Sequence, residues 1–378
     1  MRALMTATVP SMIGQFNMNN IKLLIELGYD VDVTCNFDDH SVWSKEKIEQ
    51  LKDDLYALNV NTYHIDFERS MFKIDNHIKS YKQMKKLMNE KEYTLIHTHT
   101  PISSLITRIA FKNSRIFNKC RMIYTAHGFH FFKGNNPLKN FLFRNIERYG
   151  AKYTDTLITI NKEDYEAAKK FKLRKNGTVE YVPGVGIDID KINSVQGNKE
   201  ELCKELNIPN NSILLLSVGE LSKRKNHEVI VRLLNKLPNN IHYLICGQGQ
   251  LDRYLQDLAK QMKVENRFHL LGYRTNIPQI MKSCDVFIFP SLQEGLPVAL
   301  MEAMACDLPC IASNIRGNND LIQNDKNGYL FDNKEKNILL NAIKKSIDTK
   351  KVDLKMEQYS KKRICQQMKQ IYLEVAYE

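Results

Sequence analysis

The stretch Asp285–Ile311 reads DVFIFPSLQEGLPVALMEAMACDLPCI, and it predicts a strand, a turn, a short helix and a second strand. Residues 285–290 have the β-branched and aromatic content of a buried strand. Pro297 has no amide hydrogen to leave unpaired, which suits the first position of a helix. The residues after Pro297 are apolar on every side of that helix except at Glu302, so we expect the helix to be buried.

Two carboxylates, Glu294 and Glu302, give this stretch its chemistry. Glu302 needs hydrogen-bond donors because an unpaired buried carboxylate is unfavourable. Gly295 lets the backbone approach a ligand closely, and the free amides at a helix N-terminus favour an anion. The two carboxylates can accept hydrogen bonds from sugar hydroxyls, and the amides can bind phosphate. This combination suits a sugar nucleotide. The alternative is a strand–helix corner with a surface carboxylate, which explains Glu294 alone better than it explains Glu302.

The spacing of the two carboxylates also carries a family resemblance. Glu294 and Glu302 are separated by seven residues, and the surrounding FPSLQEGLPVALMEAMA resembles the E-x7-E motif of the retaining family-4 glycosyltransferases. Further motifs extend the resemblance over nearly the whole chain. It implies an α/β protein with the GT-B fold, in which two Rossmann-like domains with parallel sheets face each other across a cleft.

The length of the chain and a run of Pro and Gly residues also indicate two domains. The chain has 378 residues, which is too many for one core. Pro and Gly interrupt the periodic pattern in the run VPGVGID. We predict an acceptor-binding domain over residues 1–183 plus a crossover helix at 357–378, and a donor-binding domain over residues 184–356. Asp188 and Asp190 imitate a metal-binding Asp-x-Asp, but this run resembles the family's linker, so we interpret them as structural.

Composition and patterning restrict the class of protein further. Hydrophobic residues make up 43% of the chain, which is enough for packed interiors. No apolar run is long enough to span a bilayer, and the N-terminus is too short and interrupted for a signal peptide. The eight cysteines lack paired spacing, which indicates reduced thiols and no structural zinc. We therefore expect a cytoplasmic protein.

The positive charge is concentrated in residues 69–152, which we call the basic window. The formal net charge of the chain is +12, and the basic window alone contains 17 Lys and Arg residues against four acidic residues. A basic surface attracts polyanions such as nucleic acid or an anionic membrane. The alternative is a solvated surface without a partner. Because the charge is confined to one window, we favour a polyanion partner.

The first half of the chain alternates apolar runs with helical patterns, which is typical of a parallel α/β sheet. Arg2–Val9 predicts a strand, residues 10–15 predict a turn that contains Gly14, and Phe16–Leu27 predicts a helix. A strand, turn and helix in this order form the place where doubly wound sheets hold ligands. The sequence has no GxGxxG fingerprint here. The family resemblance implies that Gly14 lets this loop approach the donor.

Histidines follow two of the predicted strands: His97 and His99 lie in HTHTP, and His127 and His130 lie in HGFH. Alternating histidines on a strand could ligate a metal. No acidic or cysteine partners cluster nearby, so we instead expect one histidine to face the core and its neighbour to face the crevice at the strand end. His127 resembles the family histidine that approaches the donor sugar.

The segment after His127 mixes aromatic and basic residues. Phe129, Phe131 and Phe132 lie beside Lys133 in a Gly/Asn-rich loop, and the helix that follows combines apolar with basic side chains. This composition is typical of an interfacial segment. One alternative is a helix packed by its apolar face. Another is an aromatic platform for nucleic-acid bases, which no recognisable nucleic-acid module supports. We therefore favour contact with a membrane.

The second half repeats the α/β pattern and contains the run GELSKRK. Its three adjacent cations, Lys223–Lys225, lie at a strand-to-helix turn and can neutralise a diphosphate, although an exposed helix start with basic residues is also ordinary. The family pattern G-R-L-x-x-x-K is matched at Gly219 and Lys225. Glu220 replaces the family arginine, which leaves one phosphate contact in doubt. Either Lys225 contributes more to phosphate binding, or Arg224 or Lys223 substitutes for the missing arginine.

The resemblance implies roles for the remaining site residues. The amides of Gly295 and Leu296 would join the cations in holding the leaving diphosphate, so that no metal or other cofactor is needed. Glu302 would hold the ribose hydroxyls, Glu294 would contact the donor sugar, and the loop that contains Arg274 would face the base. The predicted catalytic residues are His127, Glu294 and Lys225, and the predicted donor-binding residues are Gly14, Gly219, Arg224, Lys225, Arg274, Glu294, Gly295, Leu296 and Glu302.

These features predict a retaining glycosyltransferase that moves a sugar from a nucleotide sugar, with a UDP-sugar as the expected donor. The runs ATVPSMIGQFNMNNIKLL, HTHTPISSL and YTAHGFHFFKG are especially similar to bacterial capsular and exopolysaccharide glycosyltransferases. The expected acceptor is therefore a polyprenyl-diphosphate-linked saccharide at the inner face of the cell membrane, which the basic window would contact, and no nucleic acid is expected. Two alternatives are a non-transferase sugar-nucleotide enzyme, such as an epimerase, and a basic polyanion-binding protein with a degenerate site.

Overall fold

The structure, a computed structural model, describes residues 1–332, 335–347 and 356–377. In this part of the chain the residues form two compact units, Met1–Val185 with Lys362–Glu378, and Gly186–Lys361. The first boundary thus falls at Val185, where the sequence predicted residue 183. Residues 333–334, 348–355 and 378, which the sequence assigned to the two domains, lie outside the described residues.

The first unit contains a wholly parallel sheet. Its strands are β1 (Arg2–Thr6), β2 (Asp30–Cys35), β3 (Asn61–His64), β4 (Leu95–His99), β5 (Arg121–Ala126), β6 (Thr156–Thr159) and β7 (Thr178–Tyr181). They lie in the order β3-β2-β1-β4-β5-β6-β7. The helices of this unit are α1 (Pro10–Phe16), α2 (Met18–Glu26), α3 (Lys45–Ala57), α4 (Ile74–Glu90), α5 (Pro101–Lys112), α6 (Pro137–Ala151) and α7 (Lys162–Ala168).

The second unit repeats this plan. Its helices are α8 (Ile189–Ser194), α9 (Lys199–Glu205), α10 (Glu228–Leu234), α11 (Asp252–Gln261), α12 (Ile277–Ser283), α13 (Val298–Ala305), α14 (Asn318–Leu321) and α15 (Lys336–Ile347). Its strands are β8 (Ile213–Val218), β9 (Ile241–Cys246), β10 (Phe268–Gly272), β11 (Val286–Phe289), β12 (Cys310–Ser313) and β13 (Tyr329–Phe331). They lie in the order β10-β9-β8-β11-β12-β13, and each pair is parallel. The predicted pair of parallel α/β units is confirmed.

The strand orders locate the places where ligands can bind. In the first unit the order reverses between β1 and β4, and in the second it reverses between β8 and β11. Helices on either side of such a reversal diverge and leave a crevice beyond the carboxyl ends of the two strands. Gly14 lies in the segment that follows β1, Gly219 follows β8, and Glu294 lies in the turn after β11. The fold therefore places predicted site residues at both reversal points.

The predicted turn over residues 10–15 is wrong, because residues Pro10–Phe16 form α1. Pro10 occupies a first-turn position, where its fixed φ favours the helix and its missing amide hydrogen has no effect. Gly14 therefore lies inside a helix. A Cβ atom at Gly14 would lie 2.3 Å from Cη2 of Trp43, so glycine is required here by the packing of that indole ring.

Helix α13 begins one residue later than the sequence predicted. Pro297 is its N-cap residue, with an extended backbone (φ −78°, ψ 119°), and Val298 is the first helical residue. The final helix, α16 (Lys361–Tyr377), packs Ile364, Met368 and Tyr372 into the core of the first unit. None of the described helices is at once long enough and apolar enough to cross a membrane.

Candidate active site

In the second unit, the turn after β8 and the turn after β11 meet at Glu294. Lys225 Nζ donates to Glu294 Oε1 at 2.8 Å, and Arg224 Nη1 donates to the same oxygen at 2.8 Å. The Glu294 side chain is only 10% exposed. Two cations on one carboxylate oxygen leave the other oxygen, Oε2, available to a ligand. The structure thus brings together three of the predicted site residues.

Lys225 is the buried member of this cluster. Its ammonium lies 4.4 Å from the centre of the Phe289 ring, a cation–π contact that helps to accommodate the charge. Burial lowers the pKa of Lys225 because it disfavours the charged form, and Glu294 opposes this effect. A phosphate beside this ammonium would interact with it more strongly than in water, since few solvent molecules screen the charge.

Glycines allow the turns around Lys225 to approach each other. Gly219 has a φ of +154°, and a Cβ atom there would lie 3.0 Å from Lys225 Cε. A Cβ at Gly247 would lie 1.9 Å from the carbonyl oxygen of Gly219, and a Cβ at Gly249 would lie 2.5 Å from that of Leu221. The predicted donor-binding residue Gly219 therefore lies in close contact with the Lys225 side chain and with the backbone of Gly247.

The turn after Glu294 is fixed by residues from a different loop. A Cβ at Gly317 would lie 2.2 Å from the carbonyl oxygen of Gly295, so the two segments are in van der Waals contact. Arg316 Nε donates to the carbonyl oxygen of Glu294 at 3.1 Å, and Arg316 is 5% exposed. Leu296 is buried beneath the start of α13. The sequence analysis did not identify Arg316.

Glu302 lies half-buried on α13. Burial raises the pKa of its carboxyl group, and the nearby cations Lys361 and Lys191 oppose the increase. Among the residues that the structure describes, no side chain or amide donates a hydrogen bond to this carboxylate or forms an ion pair with it. The donors that the sequence analysis expected inside the protein are thus absent from the described part of the chain. A ligand with hydroxyl groups can supply them.

Arg274 is placed differently from the residues around Glu294. Its guanidinium forms an ion pair with Glu205 on α9, and its Nε donates to the carbonyl oxygen of Leu271 at 3.1 Å. Glu220, which replaces the arginine of the family pattern, is exposed. In the described structure no hydrogen bond or ion pair joins Arg274 to Glu294.

In the first unit, three histidines form a row at the ends of β4 and β5. His97 and His99 are fully buried with ring centres 4.1 Å apart, and His99 Nδ1 lies 3.0 Å from His127 Nε2. Burial lowers the pKa of His97 to about 3 and that of His127 to about 4. Burial and the neighbouring rings also lower the pKa of His99. Burial therefore favours the neutral form of all three rings.

The interactions of these rings explain their positions. Both nitrogens of His97 have partners at 2.8 Å, the hydroxyls of Tyr372 and Thr125. His97 lies in the core, whereas His99, although buried, lines a cavity of about 30 Å³ together with His127 and Phe16. This arrangement agrees with the expected division between the core and the crevice at the strand end. In the part of the chain that the structure describes, no group of three or more His, Cys, Asp or Glu residues could hold a metal ion.

The aromatic loop after His127 is folded inward rather than exposed. Phe129 and Phe131 are buried, and their rings stack 4.8 Å apart, so neither ring is a platform for nucleic-acid bases. The exposed apolar residues lie on α6 instead. Leu138, Phe141 and Leu142 are 77%, 69% and 50% exposed, and they share one side of the helix.

Comparison with known proteins agrees with this geometry. The sequence models of two families match the chain: Glycosyl transferases group 1 over residues 198–363 and Glycosyl transferase 4-like over residues 15–161. The UDP-Gal:alpha-D-GlcNAc-diphosphoundecaprenol alpha-1,3-galactosyltransferase of Escherichia coli is 31% identical over 73% of this chain and 72% of its own length. The N,N'-diacetylbacillosaminyl-diphospho-undecaprenol alpha-1,3-N-acetylgalactosaminyltransferase of Campylobacter jejuni is 23% identical over 90% of this chain and 88% of its own length.

Solved structures show the same architecture. The crystal structure of Anabaena Alr3699/HepE in complex with UDP and glucose has a TM-score of 0.75 and 18% identity, and the match covers 99% of this chain and 100% of that chain. The fold and the matched family models define a transferase of the GT-B class, as the sequence predicted. Within that class, the chain belongs to the group 1 and 4-like glycosyltransferases of the bacterial exopolysaccharide type.

Proposed function

We propose that this protein is a retaining glycosyltransferase that transfers a sugar from a UDP-sugar to a saccharide carried on a polyprenyl diphosphate. One observation carries the proposal. A single strand–turn–helix unit holds Glu294, bound by two cations at 2.8 Å, and Glu302, half-buried with no partner in the described part of the chain. The names of the two relatives, which act on diphospho-undecaprenol-linked sugars, support the acceptor. The complex of a structural neighbour with UDP supports the donor.

On the donor side, each charged group has a separate task. Lys225 and Arg224 bind the diphosphate together with the free amides at the start of α13. Glu294 accepts hydrogen bonds from hydroxyl groups of the donor sugar through Oε2, because both cations already bind Oε1. Glu302 accepts hydrogen bonds from the two ribose hydroxyls, which supply the donors that this carboxylate lacks in the described part of the chain. No metal ion is required, since fixed positive charge neutralises the leaving UDP.

Transfer with retention follows from a path on one face of the sugar. As the bond between the anomeric carbon and the UDP oxygen breaks, the acceptor oxygen forms its bond on the same face, and the acceptor proton moves to the leaving phosphate. Neither Glu294 nor Glu302 acts as a nucleophile. The alpha linkages in the names of both relatives agree with this outcome, because an alpha product from an alpha-linked UDP-sugar retains configuration.

On the acceptor side, the first unit provides a basic, partly apolar surface. The basic window contains the exposed side chains of α6, in which Leu138 and Phe141 are accompanied by Lys139 and Arg148. An amphipathic basic surface of this kind binds anionic membranes through apolar burial and charge attraction. Such a surface supports a reaction at the inner face of the cell membrane, carried out by a peripheral protein in capsular or exopolysaccharide synthesis.

The test is a transfer assay with purified protein, a panel of UDP-sugars and a short polyprenyl-diphosphate-linked N-acetylhexosamine. We expect a disaccharide product from one UDP-sugar, with the anomeric configuration of the donor preserved in its NMR spectrum. Release of UDP at the same rate without acceptor would instead favour a non-transferase sugar-nucleotide enzyme. An inverted linkage in the product would contradict the retaining mechanism.

A further inference from the structure

The first unit contains a second cavity, larger than the one beside His127. Its volume is about 380 Å³, which is within the range of small-molecule sites of about 300–1,000 Å³. One face each of α4, α5 and α6 contributes its walls. The lining is almost entirely aliphatic and aromatic; it includes Ile74, Ile78, Leu105, Ile109, Phe143 and Ile146. We call this cavity the three-helix groove.

The three-helix groove begins at the edge of the sheet where His127 lies. Pro101 and Ile102 line one end, and they follow directly after β4, which ends at His99. His130, three residues after His127, lines the same cavity. From there the groove follows α5 as far as Ile109, a length of about 12 Å at 1.5 Å per residue. A ligand chain in this groove would therefore have one end near the histidine row.

Exposed apolar side chains border the groove where α4 begins. Phe72 is 88% exposed and Ile74 is 64% exposed, although both are large hydrophobic residues. Ile74 and Ile78 also line the groove itself, so its wall and its exposed border form one continuous apolar surface. Large continuous apolar surfaces that remain exposed mark binding sites in proteins.

Exposed cations lie on two of the three helices that form this apolar surface. Lys82 on α4 and both Lys139 and Arg148 on α6 are exposed. None of the three forms an ion pair with an acidic side chain among the described residues. An apolar slot with unpaired cations on its helices complements a molecule with one long apolar chain and an anionic group.

We propose that the three-helix groove binds the prenyl chain of the lipid-linked acceptor, with these cations contacting its diphosphate or the neighbouring anionic headgroups. This inference rests on the proposed function and adds a binding site to it. The groove holds the part of the chain nearest the diphosphate, and this anchors the saccharide near His127. The enzyme thereby recognises the lipid carrier as well as the sugar.

One charged residue in the groove wall needs an explanation, because a free carboxylate would disfavour a prenyl chain. Glu147 lines the groove, but Arg108 Nη2 donates to its Oε2 at 3.1 Å and the Tyr124 hydroxyl donates to its Oε1 at 3.1 Å. Arg108 is fully buried behind it. A Cβ at Gly150 would lie 2.5 Å from Arg108 Cζ, so glycine gives this guanidinium its space. The charge of Glu147 is thus compensated within the protein.

The experiment measures binding of farnesyl diphosphate to the full chain by titration calorimetry, without vesicles and with saturating UDP to occupy the donor site. Inorganic diphosphate is the headgroup control. Leu105→Trp fills the groove, and Ile338→Trp introduces the same side chain at an exposed position of α15 in the second unit. If Leu105→Trp does not fold, Ile109→Phe replaces it.

We expect the wild type to bind farnesyl diphosphate more than about tenfold more tightly than inorganic diphosphate, because several buried methylene groups contribute. Leu105→Trp should bind farnesyl diphosphate about tenfold more weakly, and Ile338→Trp should bind it like the wild type. Equal binding of the two diphosphates, or full binding by a folded Leu105→Trp, would overturn the proposal and leave a partner helix or a second copy as the occupant of the groove.

The donor site can be tested independently of the groove by measuring whether UDP raises the melting temperature. If UDP stabilises the wild type and Leu105→Trp equally but farnesyl diphosphate does not bind, the groove assignment alone is wrong. If UDP has no effect on the wild type, the donor-site assignment fails, and the groove is then judged by the farnesyl diphosphate measurement repeated without UDP.

Discussion

His99 Nδ1 lies 3.0 Å from His127 Nε2, and the other nitrogen of His99, Nε2, lies 3.2 Å from the sulfur of Met5. A thioether sulfur is a weak acceptor and has no hydrogen to donate, so His99 carries its proton on Nε2. His99 Nδ1 must then accept the hydrogen bond from His127 Nε2–H. Met5 and His99 together therefore fix the tautomer of His127 and leave a lone pair on its Nδ1.

This relationship predicts how His127 titrates. Burial lowers its pKa to about 4, so the neutral ring with a bare Nδ1 should persist from about pH 8 to about pH 5, below the usual histidine pKa of about 6.5. A long-range ¹H–¹⁵N spectrum of protein labelled in its histidines measures this directly. The His127 signals are identified by their loss in His127→Gln. Protonation with a midpoint near pH 6.5, or an Nδ1–H tautomer, would contradict the prediction.

Both cations bind Oε1 of Glu294. We therefore expect one substitution at Glu294 to reduce sugar transfer while leaving UDP binding nearly unchanged. In Glu294→Gln we expect the Kd for UDP to change by less than about threefold, because Lys225 and Arg224 remain. We expect kcat/KM for transfer to fall about 100-fold, because the contact to the donor sugar is weakened where charge develops. Calorimetry with UDP and the transfer assay measure the two quantities.

Lys225→Met is the matched comparison for Glu294→Gln, because it removes the other half of the same ion pair. It should weaken UDP binding itself by about tenfold or more, since a buried cation to the diphosphate is lost. If Glu294→Gln weakens UDP binding as much as it weakens transfer, the assignment of its Oε2 to the sugar is wrong.

The contact between Gly14 and Trp43 can be followed by fluorescence. Trp43 is the only tryptophan in the chain, and it is 9% exposed. In Gly14→Ala the new Cβ would lie 2.3 Å from Trp43 Cη2, so the indole ring must move. We expect emission at longer wavelength and a loss of about 1–3 kcal/mol in unfolding free energy.

Gly28→Ala is the control for this prediction. Gly28 has a φ of +83° but no heavy atom within 4 Å of a Cβ there, so the variant carries backbone strain without a clash. Its tryptophan emission should match that of the wild type. Unchanged emission in Gly14→Ala would show that the indole ring is not packed on α1.

The exposed apolar side of α6 predicts binding to membranes. In Phe141→Asp we expect binding to vesicles that contain anionic lipid to fall about tenfold, because an apolar side chain is lost and a negative charge is added near anionic headgroups. Vesicle sedimentation at constant ionic strength measures this. Tyr56→Asp, at an 83% exposed position of α3 outside the basic window, should bind like the wild type. An equal loss in both variants would show that net charge, rather than α6, determines binding.

Much of the arrangement around Glu294 is predictable from the sequence because its determinants are local. Glu294 and Glu302 lie within one strand–turn–helix unit, and Lys225 follows a strand end that a short pattern identifies. Arg316 is different: it follows β12 and reaches the Glu294 carbonyl only after folding, so its local sequence gives no indication of the contact. Sequence also assigned Gly14 to a turn because it does not reveal that Trp43 packs against it.

The three-helix groove could not be predicted for a related reason. Each of α4, α5 and α6 alone is an ordinary amphipathic helix, which normally indicates a face packed on the core. Only the fold shows that parts of three apolar faces meet around open space instead. The positive charge of this region was predictable, because the distribution of Lys and Arg along the sequence identifies the basic window.

If Glu302 accepts the ribose hydroxyls of a uridine nucleotide, calorimetry with UDP should detect the loss of its carboxylate. The control is Glu180→Gln, which changes another half-buried carboxyl group with a raised pKa, on β7 of the other unit. We predict that Glu302→Gln weakens UDP binding by about tenfold to a hundredfold, the loss of a charged hydrogen-bond acceptor, while Glu180→Gln leaves it unchanged. Equal UDP affinity in Glu302→Gln and the wild type would contradict the account.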